Sequence, residues 1–372
     1  MRVVFISTDI KIFDSESQVH ERFLAYTKVL GDVHVIVHAP AHAGQSKQSI
    51  GSLHLYPTNT NHKISFFGKA RRLVAQIEKQ QHIDVITAQD PFETGIVAAY
   101  AAKKWQIPLH VQVHADIGSP YFATSLFQKI RKIVGMKVLQ RADSIRVVSN
   151  SIAAFLQQRE IAVEKIAVIP LVSHIQEDHT KIQKEQFCSA SDRLFLMASR
   201  FTKEKHIDMA IDAFAAIWKE KAAGHLVIIG EGPLEENYKE HVAQLHMTAH
   251  VTLLPWQKNI TAYMRVADIF VLTSLYEGYG RTLVEAAAMA TPIITTNVGC
   301  AEDVVKNSEN GMIVPVDDLQ ALKEVIKLGM DEEVCEQWKM GAQNKSLEIK
   351  KSQHVQTYIQ TCTDNIKQVT HL

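Results

Sequence analysis

Short apolar runs alternate with longer helical patterns along the chain, and this alternation constrains the fold more than any other feature. The runs predict β-strands at residues 3–7, 33–37, 53–56, 83–87, 109–113, 145–149 and 166–169, and again at 194–198, 226–229, 251–254, 269–272, 292–295 and 312–314. Strands that alternate with helices favour parallel sheets covered on both faces. We therefore expect an α/β fold of two Rossmann-like, doubly wound domains that face a cleft, with a ligand at the carboxyl ends of the strands.

The alternation is interrupted by a polar stretch at residues 171–192, which we interpret as the connection between domains. A chain of 372 residues also exceeds the ~100–150 residues of a typical single domain. We predict a first domain at residues 1–175, a second at 190–350, and a C-terminal helix at 351–372 that packs back on the first domain.

The charges balance over the whole chain but not within its halves. Lysine plus arginine and aspartate plus glutamate each number 40, so no bulk charge attracts nucleic acid, and no nucleic-acid partner is expected. Residues 1–170 hold 20 basic and 13 acidic side chains, whereas residues 171–372 hold 20 and 27. One half is therefore basic and the other acidic.

Cysteine usage and hydropathy indicate the compartment. The four cysteines form no CxxC pair, which is typical of a protein in a reducing cytoplasm and excludes a disulfide scaffold or a zinc ribbon. The first apolar run is too short for a signal peptide, and no run approaches the ~18 apolar residues of a membrane span. We expect a cytoplasmic protein whose contact with a membrane would be peripheral.

The most informative stretch is Glu277-Gly278-Tyr279-Gly280, which follows an apolar run and opens a helical pattern. Glycines allow close backbone approach, and the free N–H groups at a helix start favour an anionic or hydroxyl-rich ligand. Glu277 on the loop and Glu285 about two turns into the helix are each suited to bind a pair of vicinal hydroxyls. The alternative is a glycine turn followed by a helix with a solvated glutamate.

A second strand, at residues 194–198, is followed by Arg200 and Lys205. As exposed cations at a strand end they could neutralise a diphosphate without Mg²⁺, and the alternative is a pair of isolated surface charges. The next strand is followed by Gly230-Glu231-Gly232-Pro233, which favours a tight turn. Because Glu235 stands where a third glycine would be, this turn fails as a dinucleotide fingerprint, which disfavours an oxidoreductase.

Together these residues resemble the retaining nucleotide-sugar glycosyltransferases of family 4, which have the GT-B fold. The resemblance rests on Glu277 and Glu285 with seven residues between them, on the cations Arg200 and Lys205, and on the turn at Gly232, all in the family's order. It covers residues 194–330 strongly and the N-terminal half weakly. His206 and Ala290 stand where the family usually has glycine, and the loop at residues 8–20 lacks the family's usual glycine pair.

The resemblance implies a role for each of these residues. Arg200 and Lys205 would bind the donor diphosphate, Glu285 the ribose, and Glu277 the hydroxyls of the donor sugar. The backbone groups implied to approach the sugar and the phosphates are those of Gly278, Tyr279 and Gly280, with Gly232 in a turn beneath the nucleotide. The first domain would then bind the acceptor and the second the nucleotide sugar.

In the first half, His114 ends the strand at residues 109–113 and resembles the family's active-site histidine, which lines the donor sugar near the reacting carbon. His110 shares its strand face, but no third metal ligand is in view, so we expect no metal site and no cofactor. Histidines such as His34 and His38 are interpreted as surface or loop residues. Trp256 follows the strand at 251–254, and we expect it either to lie near the base or to be buried in a packing role.

The function that these observations predict is transfer of a sugar from a nucleoside diphosphate sugar to an acceptor hydroxyl. We expect a retaining, metal-independent hexosyltransferase of polysaccharide or glycolipid assembly, because the family resemblance implies same-face attack and no Asp-x-Asp motif is present. Two alternatives stay open. One is a GT-B nucleotide-sugar 2-epimerase, and the other is a non-catalytic nucleotide-sugar binding module.

Residues 119–142 carry a cluster of positive charge and no acidic side chain. An apolar arc at helical spacing is flanked by Lys129 and Lys132 on one side and Arg131 on the other. One interpretation is a core helix with a solvated basic flank. The other is a peripheral contact with an anionic membrane, at the inner face of the plasma membrane, that carries a lipid-linked acceptor.

Overall fold

The computed structural model describes residues 1–173, 180–221 and 223–371. It contains two compact units, the first made of Met1–Pro170 together with Val355–Leu372 and the second of Leu171–His354. Each unit is built on one sheet whose central strands are buried along nearly their whole length, whereas the outer strands are partly exposed. The central strands need apolar side chains on both faces, which is why they appear in the sequence as continuous apolar runs rather than alternating ones.

Seven parallel strands and one antiparallel edge strand form the sheet in the described part of the first unit. In spatial order it runs β3-β4-β2-β1-β5-β6-β7-β8, with β3 antiparallel to β4. The strands are β1 (Arg2–Ser7), β2 (Asp32–Val37), β3 (Gln48–Ile50), β4 (Leu53–Pro57), β5 (Val85–Ala88), β6 (Leu109–Val113), β7 (Ser144–Val147) and β8 (Ile166–Val168).

Helices connect these strands and cover the sheet. They are α1 (Gln18–Leu30), α2 (Lys63–Gln80), α3 (Glu93–Trp105), α4 (Leu126–Arg141) and α5 (Asn150–Gln158). Ser125 caps α4 in a reciprocal capping box with Gln128. At Gly135 an added Cβ would lie 2.8 Å from the Phe92 ring. The second half of α4 is therefore pressed tightly against the start of α3.

The second unit has a parallel sheet of six strands within the described residues, in the order β11-β10-β9-β12-β13-β14. The strands are β9 (Leu194–Ala198), β10 (His225–Ile229), β11 (Val251–Leu254), β12 (Ile269–Leu272), β13 (Ile293–Thr296) and β14 (Gly311–Val314). The helices are α6 (Ile207–Lys221), α7 (Glu235–Gln244), α8 (Ile260–Val266), α9 (Arg281–Ala288), α10 (Ala301–Val304), α11 (Leu319–Gly329) and α12 (Glu332–Ser352). The core lies where α6 and α11 pack on the sheet, around Phe195, Phe214 and Trp338.

The boundaries between units differ from those expected. The first unit ends at Pro170 rather than 175, and the second continues to His354 rather than 350. The polar stretch at 171–192 belongs to the second unit, where Lys184 pairs with Asp268 at 2.6 Å, and residues 174–179 within it lie outside the described residues. The stretch therefore begins at the boundary between the units, and its Lys184 is tied to the second unit by an ion pair.

The last helix, α13 (Val355–Gln368), belongs to the first unit. Its Cys362 and Ile366 are buried in the same core as Phe23 of α1. Asn365 Oδ1 accepts a hydrogen bond from Nε2 of the buried His110 ring at 3.0 Å. The chain thus returns to the first unit after completing the second.

Candidate functional site

Three neighbouring strands of the second sheet end in loops that carry polar side chains. The strands β10, β9 and β12 are adjacent and parallel, so their carboxyl ends lie on one edge. Arg200 and Lys205 follow β9, Gly232 follows β10, and Glu277 and Gly280 follow β12. The topology therefore brings the loops of these sequence-predicted residues to one edge of the second unit.

Lys205 and Glu277 form an ion pair at this edge. The Lys205 Nζ lies 2.5 Å from Glu277 Oε1, and the side chains are only 11% and 14% exposed. Ser274 Oγ donates to the same carboxylate oxygen at 2.8 Å. The expectation that Lys205 is an exposed cation is therefore wrong. Its ammonium is held in place by a carboxylate, so removing it would leave that carboxylate without its opposite charge in a largely buried position.

Arg200 and Glu285 lie outside this ion pair. Arg200 is 74% exposed and reaches Glu204 at 3.3 Å, so it is an exposed cation as expected. Glu285, on α9, is 15% exposed and lies 3.6 Å from Arg281. Burial raises the pKa of the Glu285 carboxyl, and the Arg281 guanidinium partly offsets this. Among the described residues, neither Arg200 nor Glu285 makes an ion pair or hydrogen bond with Lys205 or Glu277.

At two of the predicted glycines the backbone itself disfavours any larger residue. Gly280 immediately precedes α9 with φ +85°, a left-handed conformation that other residues adopt only at a cost. At Gly232 an added Cβ would lie 2.5 Å from the Phe201 carbonyl oxygen, so the loops after β9 and β10 could not pack as they do. Gly278 is half-buried, and Tyr279 is buried with its carbonyl accepting from the Cys300 N–H at 2.8 Å.

The two positions at which the sequence departs from the family's glycines share one backbone conformation. His206, directly after Lys205, has φ +49°, and Ala290, which follows α9 and Met289, has φ +60°. Glycine adopts this region freely, whereas residues with a Cβ adopt it with strain. The substitutions therefore keep the turns and add local strain.

In the first unit, His114 follows β6 with its ring held by neighbouring side chains. Its Nε2 donates to Gln112 Oε1 at 3.0 Å, and the buried Arg146 donates to the same oxygen at 3.4 Å. Burial, with the positive charges of Arg146 and Arg22, lowers the pKa of His114 to about 3. The imidazole is therefore neutral at physiological pH, and a proton on Nε2 satisfies its hydrogen bond to Gln112.

His110, on the same strand, has a different role. Its two ring nitrogens lie 2.5 Å from Thr87 Oγ1 and 3.0 Å from Asn365 Oδ1, so both are already hydrogen-bonded. Burial lowers its pKa to about 4. His110 therefore links β6 to the C-terminal helix α13. The loop at residues 8–20, which lacks the glycine pair, forms a 3-10 turn at Ile10–Phe13 whose Ile12 carbonyl contacts His20 Nδ1 at 2.7 Å.

Two sequence families match the chain. The family described as "Glycosyltransferase Family 4" matches residues 26–171, and the family described as "Glycosyl transferases group 1" matches residues 178–345. The two matches follow one another and together take up most of the chain. By these matches the chain belongs to the family 4 glycosyltransferases. The resemblance identified from the residues is thereby confirmed.

Several named proteins resemble this chain in sequence. It is 31% identical over 162 residues to N-acetyl-alpha-D-glucosaminyl L-malate synthase of Bacillus anthracis (43% of this chain, 42% of that protein). It is 26% identical to alpha-monoglucosyldiacylglycerol synthase of Streptococcus pneumoniae (59% and 53%) and 25% identical to the capsular polysaccharide biosynthesis glycosyltransferase CapM of Staphylococcus aureus (82% and 82%). The first two matches span about half or less of the relatives' own length.

Solved structures share the fold along the whole chain. Anabaena HepE in complex with UDP superimposes with a TM-score of 0.75 at 18% identity, covering 99% of this chain and 100% of that one. Sucrose-phosphate synthase of Thermosynechococcus elongatus gives a TM-score of 0.79 at 16% identity, covering 99% of both chains. The prediction of two doubly wound sheets of the GT-B class is confirmed.

The structure excludes one of the two alternatives for Trp256 and contradicts the interpretation of His34. Trp256, after β11, is 64% exposed, so the buried packing role is wrong, and its backbone N–H donates to Glu231 Oε1 at 3.3 Å. His34 is buried within β2, so its interpretation as a surface or loop residue is also wrong. In the sequence, His34 is the single polar residue within the apolar run at residues 33–37, and that run predicted a strand here.

The apolar arc at the start of α4 lies on the surface. Leu126, Phe127, Ile130 and Ile133 are 75%, 64%, 53% and 57% exposed. Nearby on α2, Ile64 is 85% exposed, and the Lys63 Nζ lies 5.6 Å from the Phe127 ring centre. The core-helix interpretation is therefore wrong for this half of α4, because its buried residues begin only at Gly135. We refer to these five apolar residues as the exposed apolar face.

Proposed function

We propose that this glycosyltransferase moves a sugar from a nucleoside diphosphate sugar to an acceptor hydroxyl, with retention of anomeric configuration and without a metal ion. The observation that carries the proposal is the Lys205–Glu277 ion pair at the strand edge of the second unit. Relatives named as enzymes of glycolipid and capsular polysaccharide synthesis support an acceptor of one of these two classes.

The ion pair is suited to bind both halves of the donor. The Lys205 ammonium can donate to a phosphate oxygen while it remains close to Glu277, because a lysine has three N–H donors. The Glu277 carboxylate has free acceptor positions for sugar hydroxyls. Since both groups are largely buried, their interaction with a charged ligand is screened less than it would be at an open surface.

Other groups at this edge complete the donor site. The exposed Arg200 guanidinium can rotate onto the diphosphate, and the buried Glu285 carboxyl can bind the ribose hydroxyls. The exposed indole of Trp256 offers a flat surface on which the base can stack. In HepE, which shares the fold, UDP is the bound nucleotide, and this supports a uridine nucleotide as the first donor to test.

Transfer with retention needs the new bond and the broken bond on one face of the sugar. The acceptor oxygen bonds to the anomeric carbon, the bond from that carbon to the diphosphate oxygen breaks, and the acceptor proton passes to the leaving phosphate. Lys205 and Arg200 stabilise the negative charge that develops on the diphosphate, which is the task that Mg²⁺ has in other transferases. The neutral His114 would contribute a hydrogen bond beside the sugar rather than a charge.

The decisive experiment measures nucleotide release and product configuration together. UDP-sugars are offered with and without lipid and oligosaccharide acceptors, in EDTA, and the product is examined by NMR. We expect release that depends on the acceptor and a product with the donor's anomeric configuration. Inversion, or a strict need for Mg²⁺, would contradict the proposed mechanism, whereas release of a free sugar without acceptor would indicate the epimerase.

We also propose that the exposed apolar face contacts an anionic membrane that carries a lipid-linked acceptor. None of the described helices is long and apolar enough to cross a bilayer, so the contact would be peripheral. The apolar side chains are accompanied by the exposed cations Lys129, Lys137 and Arg141 on the same helix. The apolar side chains can enter the headgroup region, and each cation near anionic lipid contributes ~1 kcal/mol to binding. These two contributions together favour stable attachment to a membrane.

Binding to vesicles tests this contact. We expect the protein to sediment with phosphatidylglycerol vesicles but not with phosphatidylcholine vesicles, and less at high salt. The double variant F127S/I130S should weaken binding at least ~10-fold, because each side chain loses ~1.5–3 kcal/mol of burial. The matched control is Leu347→Ser, which removes a side chain that is 62% exposed on the second unit. Equal binding to both vesicle types, or an unaffected double variant, would exclude the membrane contact.

A further inference from the structure

Four polar side chains meet on one face of the first sheet, at the amino ends of three neighbouring strands. In the parallel register Arg2 of β1 lies opposite Asp32 of β2, and His34 of β2 lies opposite His54 of β4. Because residues two apart on a strand point to the same side, Asp32 and His34 share this face. We refer to Asp32, His34 and His54 as the Asp32 cluster.

Both imidazoles of the cluster present the same nitrogen to the carboxylate. His34 Nε2 lies 3.1 Å from Asp32 Oδ2, and His54 Nε2 lies 3.1 Å from Asp32 Oδ1. The ligand atoms of the three side chains all lie within 4.8 Å of one another. Donor atoms ~2.0–2.1 Å from a tetrahedral zinc ion are ~3.3 Å apart. Closing the cluster around an ion therefore requires side-chain movements of ~1 Å.

The far nitrogen of each ring is held by a hydroxyl group. His34 Nδ1 lies 3.0 Å from Tyr56 Oη, and His54 Nδ1 lies 3.0 Å from Ser49 Oγ. These hydroxyls can accept a hydrogen bond from Nδ1–H, which leaves the Nε2 lone pair free to face the carboxylate. A partner on the non-ligating nitrogen is the usual arrangement around metal-bound histidines, where it fixes the tautomer and the ring orientation.

We propose that the Asp32 cluster binds a divalent transition-metal ion such as Zn²⁺ through His34 Nε2, His54 Nε2 and Asp32 Oδ1, with a water as fourth ligand. Two imidazoles and one carboxylate suit zinc and its neighbours rather than Mg²⁺, which prefers oxygen ligands. Arg2 Nη2, 2.6 Å from Asp32 Oδ2, holds the other carboxylate oxygen and leaves Oδ1 to the ion.

The proposed ion would stabilise the first unit and take no part in sugar transfer. The cluster lies at the amino ends of β2 and β4, whereas His114 follows the carboxyl end of β6, on the opposite edge of the same sheet. The length of the strands puts ~15 Å or more between the two edges. A metal ion here would also tie β4 to β2 near the weakly paired edge strand β3.

Zinc binding to the full-length, EDTA-treated protein tests the proposal. We expect calorimetry to detect one Zn²⁺ bound per chain through this cluster, and saturating Zn²⁺ to raise Tm by roughly 3–5 °C. Mg²⁺ should do neither. His54→Gln, a change at a partly exposed side chain, should weaken Zn²⁺ binding more than ~10-fold, and Tyr56→Phe, which removes the partner of His34 Nδ1, should weaken it ~10-fold.

The matched control is His82→Gln, which removes an exposed histidine of the same unit that pairs with Glu78. It should leave both the affinity and the stoichiometry unchanged. Sugar transfer in EDTA should be unaffected in all variants, so this test stands apart from that of the transferase mechanism. The proposal is overturned if the wild-type protein binds no Zn²⁺, or if His54→Gln binds it as tightly as wild type does.

Discussion

The strand edges that carry the predicted site residues differ in charge between the two units. In the second unit a lysine and a glutamate are already paired, and an exposed arginine lies in the same loop as the lysine. In the first unit the residue after β6 is a histidine that burial and nearby arginines keep neutral. The loops after the second sheet thus present a paired and an exposed charge, whereas the first sheet presents, after β6, a neutral side chain suited to hydrogen bonding.

Breaking the ion pair of the second unit should reduce turnover more than any other change proposed below. Lys205→Met keeps most of the side-chain volume but removes the charge that would stabilise the diphosphate. Turnover should fall by ~10²–10³-fold, and urea denaturation should show lower stability because Glu277 loses its partner. The control is Lys203→Met on the same turn, where the side chain is exposed. Equal rates for the two variants would remove Lys205 from the donor site.

Arg200 sharpens the same comparison, because it shares the charge and the loop of Lys205 but is 74% exposed. Arg200→Ala should reduce kcat by ~10²-fold, since a cation that reaches the diphosphate only in the loaded enzyme still stabilises the leaving group. Its free energy of unfolding should stay within ~0.5 kcal/mol of wild type, as is usual for exposed ion pairs. A large loss of stability would mean that the Arg200 side chain makes stabilising contacts with the rest of the protein.

The neutral histidines of the first unit predict acid sensitivity. His110 has a pKa of about 4 in the folded protein, against ~6.5 in an unfolded chain. At a pH between these two pKa values the unfolded chain binds a proton that the folded protein does not. The contribution of His110 to the free energy of unfolding is therefore complete above pH ~6.5 and decreases as the pH falls. Urea denaturation should show His110→Asn to be less stable at pH 7 but to lose ~1–2 kcal/mol less between pH 7 and 5. A wild-type slope in His110→Asn would contradict the assignment.

Replacing a residue in left-handed backbone by glycine should change stability only slightly, and to a similar extent in the two units. Ala290 of the second unit and Gln106 of the first both have left-handed backbone, with φ +60° and +53°. Replacing either by glycine relieves strain, partly offset by the greater freedom of the unfolded chain. We expect each variant to gain up to ~1 kcal/mol in thermal or urea denaturation, with unchanged turnover. A loss of stability in either would show that its side chain makes contacts worth more than the strain.

Much of the fold followed from the sequence because it depends on local pattern. Each predicted apolar run coincides with or overlaps a strand, since a strand covered on both faces leaves a continuous apolar signal. The order of loops along the chain then placed Arg200, Lys205 and Glu277 on one sheet edge. The short edge strand β3, Gln48–Ile50, was missed because it is largely exposed and lacks such a run.

The burial and pairing of individual side chains could not be predicted, because they depend on contacts between residues that are distant in sequence. Arg200 and Lys205 look equivalent in sequence, yet one is exposed and the other is buried against Glu277, 72 positions away. The spacing of Leu126, Phe127 and Ile130 predicts a shared helix face, but not whether another element covers it. The roles of Arg200, Lys205, Glu277, Glu285 and His114 in binding and catalysis stay predictions.

The return of α13 to the first unit has a consequence for how the protein is made. The second unit is one continuous segment, whereas the first is complete only once residues 355–372 have been synthesised. Until then the strand residues that contact α13, including His110 and Arg146, lack their partners Asn365 and Tyr358. The nascent first half therefore remains an incomplete core for most of translation, and a chain stopped before Val355 would be a substrate for chaperones and proteases.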